Sequence, residues 1–235
     1  MAAPTIVASA ALIELQHVTK VYGKIPAVHA LKGIDFRVRR GDFVAVMGHS
    51  GSGKSTCMNI LGCLDTPSEG SYRFEGVDVG ALSRDQRALL RRHYIGFVFQ
   101  GFNLLQRTSA LENVELPLVY RGLPRQQRKE KAYEALTAVG LSGWEHHKPS
   151  ELSGGQQQRV AIARAIVSDP QVLLADEPTG NLDTARSREI MELIVKLNHE
   201  RGLTIFMVTH EAEMAEYARR QIHFLDGEIE RIQSF

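Results

Sequence analysis

The sequence predicts an α/β fold: a mostly parallel sheet flanked by helices, with an antiparallel β portion and an inserted helical section. Residues 43–47, 172–176 and 204–209 are short apolar runs, as expected of strands that are buried on both faces. Segments with helical periodicity alternate with these runs, which is typical of a parallel sheet covered by helices. Residues 13–22 and 33–38 instead alternate apolar and polar side chains, which indicates half-buried strands.

Five segments are predicted to be helices, three from apolar spacing and two, residues 84–92 and 125–139, from their content of Arg, Gln, Ala and Leu. They are residues 54–64, 84–92, 125–139, 156–168 and 184–200. Near the end of the sequence, residues 222–225 and 228–230 flank the dipeptide Asp226-Gly227, which predicts a hairpin with a tight turn.

The predicted organisation is one domain over residues 1–235. Residues 1–99 and 169–235 would form the α/β core with its antiparallel portion, and residues 100–168 a helical subdomain inserted into that core. The chain has 235 residues, within the range of a single domain, and contains no long linker or internal repeat.

Composition excludes several classes of protein. Hydrophobic residues make up 43% of the chain, charged residues 23%, and the net charge is +1, which is ordinary for a soluble globular protein and gives no sign of nucleic-acid binding. Residues 1–11 lack the basic start of a signal peptide, and no run approaches the roughly 18 apolar residues that span a bilayer. Cys57 and Cys63 lack the neighbours of a metal site and are predicted to be small packing residues. We therefore expect a cytosolic protein or one held at a membrane by a partner.

A glycine-rich loop lies between the predicted strand 43–47 and the helix that follows, and it matches the phosphate-loop pattern G-x-x-x-x-G-K-[ST]. Its glycines let backbone N–H groups face phosphate oxygens, and the helix presents its positive N-terminal end to the same anion. Lys54 would neutralise the β- and γ-phosphates, and the Ser55 hydroxyl would bind Mg²⁺. The predicted nucleotide-binding residues here are Gly48, His49, Ser50, Gly51, Ser52, Gly53, Lys54, Ser55 and Thr56.

Polar side chains end three other apolar runs. Asp176 ends one run at the sheet edge where ligands bind, and Glu177 follows as a candidate general base. Asp176 alone could equally cap the turn after it, but the phosphate loop on the same sheet favours a Mg²⁺ ligand. His210 follows the run 204–209 and is a candidate γ-phosphate contact. Gln100 follows the run 95–99, and its amide could bind Mg²⁺ or orient water.

A second glycine motif, Leu152-Ser153-Gly154-Gly155-Gln156, precedes the helix predicted over residues 156–168. Ser153 could be an ordinary N-cap, which is common. Alternatively, its hydroxyl, the exposed backbone amides and the helix N-terminus could form a second anion site. One nucleotide site per chain has no evident use for a second phosphate cradle.

Taken together, these motifs resemble the ATP-binding cassette (ABC) ATPases over nearly the whole chain. The resemblance implies a P-loop NTPase core that uses ATP and Mg²⁺. It further implies a head-to-tail dimer, in which the motif Ser153, Gly154, Gly155 and Gln156 closes on the ATP of a second copy. By the same resemblance the remaining roles would be adenine stacking for Tyr22, Mg²⁺ binding for Ser55, Gln100 and Asp176, catalysis for Glu177, His210 and Gln100, and the D-loop for Asp183.

Residues 59–65, 96–105 and 111–118 are similar to the ATPases of the macrolide-exporter and lipoprotein-release type. That likeness implies an integral membrane permease, no nucleic-acid partner, and a peripheral location at the cytoplasmic face of the bacterial inner membrane. In the macrolide exporters the ATPase is fused to its membrane region, but this chain ends soon after its last predicted strand, so we expect the permease to be a separate polypeptide. Residues 101–115 would receive a helix of the permease. Phe102, Leu104 and Leu105 are candidate contacts, although core packing would explain Leu104 and Leu105 equally well.

Two other functions use the same loop. A small-molecule kinase would transfer phosphate to an acceptor other than water and would not need the Ser153 motif. An ABC ATPase that relays a signal to a cell-envelope effector would pair with a membrane protein that has large extracytoplasmic domains. A soluble repair or translation factor is disfavoured, because such relatives carry a long coiled coil or two cassettes in one chain.

Overall fold

A computed structural model describes residues 11–23 and 25–235. Residues 1–10, where we predicted no signal peptide, and Lys24 lie outside the described residues. Within the described chain, no helix combines the length and the apolar character needed to cross a bilayer.

Strands and helices alternate along most of the chain. In order they are β1 (Ile13–Tyr22), β2 (Val28–Val38), β3 (Phe43–Met47), α1 (Lys54–Leu61), β4 (Glu69–Phe74), β5 (Val77–Asp78), α2 (Arg84–Tyr94), β6 (Ile95–Phe99), α3 (Ala110–Tyr120), α4 (Arg125–Ala138), a short 3₁₀ helix (Pro149–Glu151), α5 (Gly154–Ile166), β7 (Val172–Asp176), α6 (Thr184–Arg201), β8 (Thr204–Val208), α7 (Ala212–Ala215), β9 (Arg220–Leu225) and β10 (Glu228–Ser234).

The larger sheet has six strands in the order β10-β9-β3-β8-β7-β6. Strands β6 to β9 and β3 run parallel, and only β10 is antiparallel, so the mostly parallel sheet is confirmed. The β9–β10 hairpin is also as predicted. Asp226 and Gly227 have φ angles of 49° and 88°, the positive values that a tight hairpin turn of this kind requires.

The smaller sheet is antiparallel, with the order β2-β1-β4-β5. It confirms the predicted antiparallel portion, but β2 begins at Val28 rather than at residue 33, and β4 and β5 were not predicted. Only Tyr72 and Phe74 of β4 turn a large apolar side chain to the core, since the strand is otherwise polar or glycine. So short an alternation gives little sequence signal.

Two hydrophobic clusters cover the two faces of the larger sheet. Along β3, Val44 and Val46 belong to the cluster shared with α1 and the smaller sheet, whereas Phe43 and Ala45 belong to the cluster shared with α3 to α6. Successive side chains of a strand point to opposite faces, so this division shows directly that β3 is buried on both sides. Both cysteines are buried in the first cluster, as predicted, and burial raises the pKa of the Cys63 thiol to about 11.

The inserted helical section contains one helix that was not predicted. Helix α3 begins at a capping box formed by Ser109 and Glu112 and contains Pro117 in its last turns. A proline inside a helix removes a backbone hydrogen bond, so a proline in the sequence argues against a helix at that place. Because α3, α4 and α5 share one apolar cluster with the sheet, the subdomain boundaries at residues 100 and 168 stay a prediction.

Candidate nucleotide site

The glycine loop between β3 and α1 is held by the side chain that ends it. Lys54 Nζ donates to the carbonyl oxygens of Gly48 and His49, at 2.7 and 2.8 Å. At Gly48, where φ is 149°, a Cβ atom would lie 2.4 Å from the Phe224 carbonyl oxygen, so no larger residue fits. Burial lowers the pKa of the Lys54 ammonium, against the opposing charges of Glu177 and Asp176. These contacts therefore define the shape of the loop.

This loop forms one wall of an open cavity of about 340 Å³. The opposite wall comes from the ends of β7 and β8, which confirms that the residues following these strands meet at one edge of the sheet. The predicted site residues that line the cavity are Gly48, Ser50, Gly51, Gly53, Lys54, Ser55, Thr56, Asp176, Glu177 and His210. Val28, His29 and Ala30 line it too. They were missed because the predicted strand began only at residue 33.

Two carboxylates and one ammonium share this cavity. Burial raises the pKa of Asp176, the neighbouring Glu177 raises it further, and Lys54 opposes both effects. The charged form of Asp176 is therefore disfavoured at this site, mainly because the carboxylate is partly buried. The Ser55 hydroxyl and the Asp176 carboxylate line the same cavity and are hard oxygen ligands, the kind that Mg²⁺ takes together with phosphates. Among the described residues there is no cluster of three or more His, Cys, Asp or Glu side chains that would hold a metal alone. The donor set therefore fits Mg²⁺ bound with a nucleotide.

Glu177 is the residue with the most constrained backbone here. Its φ is 46°, in the left-handed region that non-glycine residues rarely adopt. Its N–H donates to the Val208 carbonyl oxygen at 2.9 Å, and its own carbonyl oxygen accepts from Gly180 N at 3.1 Å. His210 Nδ1 lies 2.9 Å from Glu177 Oε1. Strained residues of this kind concentrate at functional sites.

Gln100 turns toward a neighbouring loop, and its side chain is outside the residues that line the cavity. Asn181 Nδ2 donates to the Gln100 carbonyl oxygen at 2.9 Å, and Gln100 Nε2 lies 3.5 Å from Asn181 Oδ1. Asp183 lies just beyond, where it caps α6 by accepting from Arg186 N at 3.0 Å. The metal and catalytic roles of Gln100 and the nucleotide role of Asp183 stay predictions.

Tyr22, His49 and Ser52 also lie outside the cavity lining. Tyr22 is 40% exposed, and its hydroxyl donates to Asp65 Oδ2 at 2.8 Å. Lys20 Nζ lies 4.9 Å from the centre of the same ring. Ser52 is fully buried, and His49 Nδ1 donates to the Ser50 carbonyl oxygen at 2.7 Å. Adenine stacking on Tyr22 and nucleotide contacts of His49 and Ser52 stay predictions.

The second glycine motif is separate from this cavity. Ser153 is the N-cap of α5: its Oγ accepts from Gln156 N at 3.3 Å, and Gln156 Oε1 accepts from Ser153 N at 2.9 Å. The ordinary capping role is thus confirmed. Gly154 packs close to Leu182, where an added Cβ would lie 3.3 Å from Cδ2. None of Ser153 to Gln156 lines the nucleotide cavity of its own chain.

Comparison with known proteins gives the same picture. The family model described as ABC transporter matches residues 31–180. The chain is 56% identical over 223 residues to the macrolide export ATP-binding/permease protein MacB of Syntrophobacter fumaroxidans, covering 93% of this chain and 31% of that protein. It is 51% identical over 224 residues to an uncharacterized ABC transporter ATP-binding protein of Thermotoga maritima, covering 94% of this chain and 95% of that one.

A solved structure is similarly close. The dimeric post-hydrolysis state of the ATP-binding cassette MJ0796, bound to ADP and Pi, matches with a TM-score of 0.86 and 44% identity, covering 94% of this chain and 98% of that one. The chain spans about a third of the length of the macrolide export relative described above. It spans nearly all of the other two proteins.

Proposed function

The chain belongs to the ABC transporter family, and we propose from this membership that it is the ATP-hydrolysing subunit of a transporter that works as a head-to-tail dimer. The proposal depends on the observation that the predicted site residues lie in two separate places. Lys54, Asp176, Glu177 and His210 meet in one cavity, while the Ser153 motif lies outside it. A second copy that placed its own Ser153 motif over this cavity would complete the phosphate contacts.

Each group then has a defined part in hydrolysis. Lys54 and the loop amides bind the phosphates, and the N-terminus of α1 stabilises their charge. Glu177 accepts a proton from the attacking water at its carboxylate, and His210 orients that carboxylate. Ser55 and Asp176 would hold Mg²⁺, which when bound neutralises charge that develops on the phosphates. Loss of the γ-phosphate removes a contact shared by the two copies, and the copies then separate.

A groove of about 590 Å³ between α2, β6, α3 and α5 is the surface where we propose that a helix of the membrane permease docks. Leu64 and Tyr120 line it and are 54% and 70% exposed, and Asn103 lies at its rim. Leu104 is buried in the core, as its packing alternative expects, whereas Leu105 is half exposed. Phe102, Leu104 and Leu105, the predicted contacts, lie outside the groove lining. An exposed apolar groove of this kind is typical of a protein interface.

Similarity to the macrolide export relative supports a permease of the macrolide-exporter or lipoprotein-release type. The Thermotoga maritima relative, of which the chain covers 95%, supports an ATP-binding protein that is separate from its permease. The chain would then be a peripheral protein at the cytoplasmic face of the bacterial inner membrane. Signalling to a cell-envelope effector is the alternative outcome of the same ATPase cycle, and the membrane protein that co-purifies with the chain distinguishes the two.

Mixing two inactive variants tests the composite site. Lys54→Ala disables the phosphate loop and Ser153→Arg disables the second glycine motif, so each homodimer should be inactive. In a mixed dimer, one site combines the intact loop of one copy with the intact motif of the other. We expect ATPase activity to reappear on mixing, at less than half the native rate per mixed dimer, since only one of two sites is restored.

The control is a mixture of Lys54→Ala with a Lys54→Ala/Ser153→Arg double variant, in which no site can be complete. If mixing the two single variants restores no activity although analytical centrifugation shows mixed dimers, the composite site is wrong.

A further inference from the structure

Gln158 is a fully buried polar side chain on helix α5, five residues after Ser153. Its Nε2 donates a hydrogen bond to the carbonyl oxygen of Pro178, which is also buried. Pro178 directly follows Glu177. A single buried hydrogen bond therefore joins the helix that starts with the second glycine motif to the turn that carries the candidate base.

The glutamines before Gln158 make only local contacts. Gln156 completes the capping box with Ser153, and Gln157 Nε2 donates to the Leu152 carbonyl oxygen at 3.1 Å. Gln158 alone of the three reaches a different element. Its Oε1 has no hydrogen-bond partner among the described residues. Burying an amide with an unpaired oxygen costs stability relative to an apolar side chain. We therefore expect this amide to contribute to the position of the turn that follows Glu177 rather than to the stability of the fold.

The turn that receives this hydrogen bond needs external support. Glu177 has a φ of 46°, a conformation of raised backbone energy for a residue with a Cβ atom. Such a conformation persists only where the surrounding structure holds it. The carbonyl of Glu177 already accepts from Gly180 N within the turn, and Gln158 supplies the hydrogen bond to the next carbonyl. A shift of α5 along its axis would move Pro178 and, with it, the carboxylate of Glu177.

We propose that Gln158 is a positioning residue, which couples the N-terminus of α5 to the catalytic carboxylate of the same chain. The inference rests on the proposed function, in which Ser153 contacts the nucleotide of the partner copy and Glu177 acts on the nucleotide of its own chain. Contact of Ser153 with the partner's ATP orders α5, and the Gln158–Pro178 hydrogen bond transmits that order to Glu177. Occupation of one composite site thereby sets the geometry of the other.

Gln158→Met removes the donor and keeps the length of the side chain. We expect kcat for ATP hydrolysis to fall about tenfold, as for an unpaired buried carbonyl, with KM within about twofold. We also expect the Hill coefficient to drop to about 1, since the two sites lose their coupling. Gln157→Met is the matched control, because it lies one residue away and contacts only its own helix start. It should keep the native Hill coefficient.

Gln158→Glu provides a pH-dependent readout of this hydrogen bond, measured, at each pH, below the Tm of the variant. A protonated carboxyl can donate to the Pro178 carbonyl oxygen, whereas a carboxylate repels it. The ratio of variant to native kcat should therefore rise as pH falls and decrease as pH rises. A ratio that stays well below 1 and does not change between pH 5.5 and 8.5 would overturn the proposal.

Two further measurements separate this proposal from the function on which it rests. ATP-dependent dimers of Glu177→Gln/Gln158→Met together with the loss of cooperativity in Gln158→Met support positioning. Native kcat and cooperativity in Gln158→Met overturn it, as does a fall in kcat that only follows a fall in Tm below the assay temperature. The absence of ATP-dependent dimers in Glu177→Gln alone would instead overturn the proposed function.

Discussion

His210 Nδ1 lies 2.9 Å from Glu177 Oε1, across the ends of two neighbouring parallel strands. The contact joins the candidate base to the side chain that follows the adjacent strand. Since the Glu177 backbone is already constrained by its left-handed conformation, the imidazole restricts the remaining freedom of its carboxylate.

The pair should act as a unit. We expect His210→Ala to lower kcat by about 10²-fold and Glu177→Gln by about 10³-fold, within the range for general acid–base groups. The double variant should be no slower than Glu177→Gln, because the imidazole has no carboxylate left to orient. Steady-state phosphate release from the four proteins measures this. Additive losses in the double variant would show that His210 acts independently of Glu177.

Glu177→Gln should bind ATP with native affinity and remain as an ATP-bound dimer. The amide keeps the size of the side chain but cannot accept the proton of the attacking water, so the γ-phosphate that links the two copies is retained. Size-exclusion chromatography with and without Mg·ATP detects the dimer. Glu200→Gln, an exposed residue on α6, is the control and should stay monomeric after turnover. Hydrolysis by Glu177→Gln at near the native rate would exclude Glu177 as the base.

Asp176→Asn should stabilise the nucleotide-free protein at neutral pH. Burial and Glu177 raise the pKa of Asp176 above its ordinary value, so the folded state binds this proton more tightly than the unfolded state. The stability linked to this group is therefore complete below the ordinary carboxyl pKa and is lost as pH rises through the raised pKa. Asparagine removes that loss, and we expect Tm to increase by a few degrees at pH 7.

The advantage of Asp176→Asn should be smaller at pH 4 than at pH 7, because protonation of the native carboxyl increases as pH falls. Adding Mg·ATP should reverse the order of Tm, because only the native protein retains the ligand for Mg²⁺. Glu192→Gln, at an exposed position on α6, should leave Tm unchanged at both pH values. Equal Tm for native and Asp176→Asn protein at pH 7 would contradict the electrostatic argument.

Tyr120→Glu should disrupt the groove that we assign to the permease. Tyr120 is 70% exposed and lines the groove, so the substitution removes an aromatic contact surface and adds a charge that docking must desolvate. We expect binding of the chain to membrane vesicles that carry its permease to weaken at least tenfold. Val77→Glu, on the half-exposed strand β5 of the smaller sheet, is the control. If Tyr120→Glu binds these vesicles as tightly as native protein, the docking surface lies elsewhere.

Asn113→Ala should destabilise the protein although the residue is far from the chemistry. Asn113 is fully buried, its Oδ1 accepts from Leu105 N at 2.8 Å, and its Nδ2 donates to Thr108 Oγ1 at 2.9 Å. Loss of these part-buried bonds should cost about 1 kcal/mol in the free energy of unfolding. Asn59→Ala, at an exposed position on α1, should change it by less than about 0.5 kcal/mol. Urea denaturation compares the two.

Prediction from sequence succeeded where a local pattern carries the physical cause. Buried parallel strands need continuous apolar runs, and a phosphate loop needs glycines between a strand and a helix. Both could therefore be predicted from the sequence. It failed at α3, because Pro117 interrupts the pattern, and at β4, because only two of its side chains reach the core. Leu104 and Leu105 are adjacent and chemically identical, so only the path of the chain could bury one and expose the other.

The sequence by itself determined the fold class, the phosphate loop and the residues that follow each buried strand, because each depends on a short stretch of chain. Only the tertiary structure decided which of these residues share a cavity, since that depends on strand order. It brought Asp176, Glu177 and His210 to Lys54 and left the Ser153 motif outside. It also joined Gln158 to Pro178, a contact between residues 20 positions apart that no sequence period encodes.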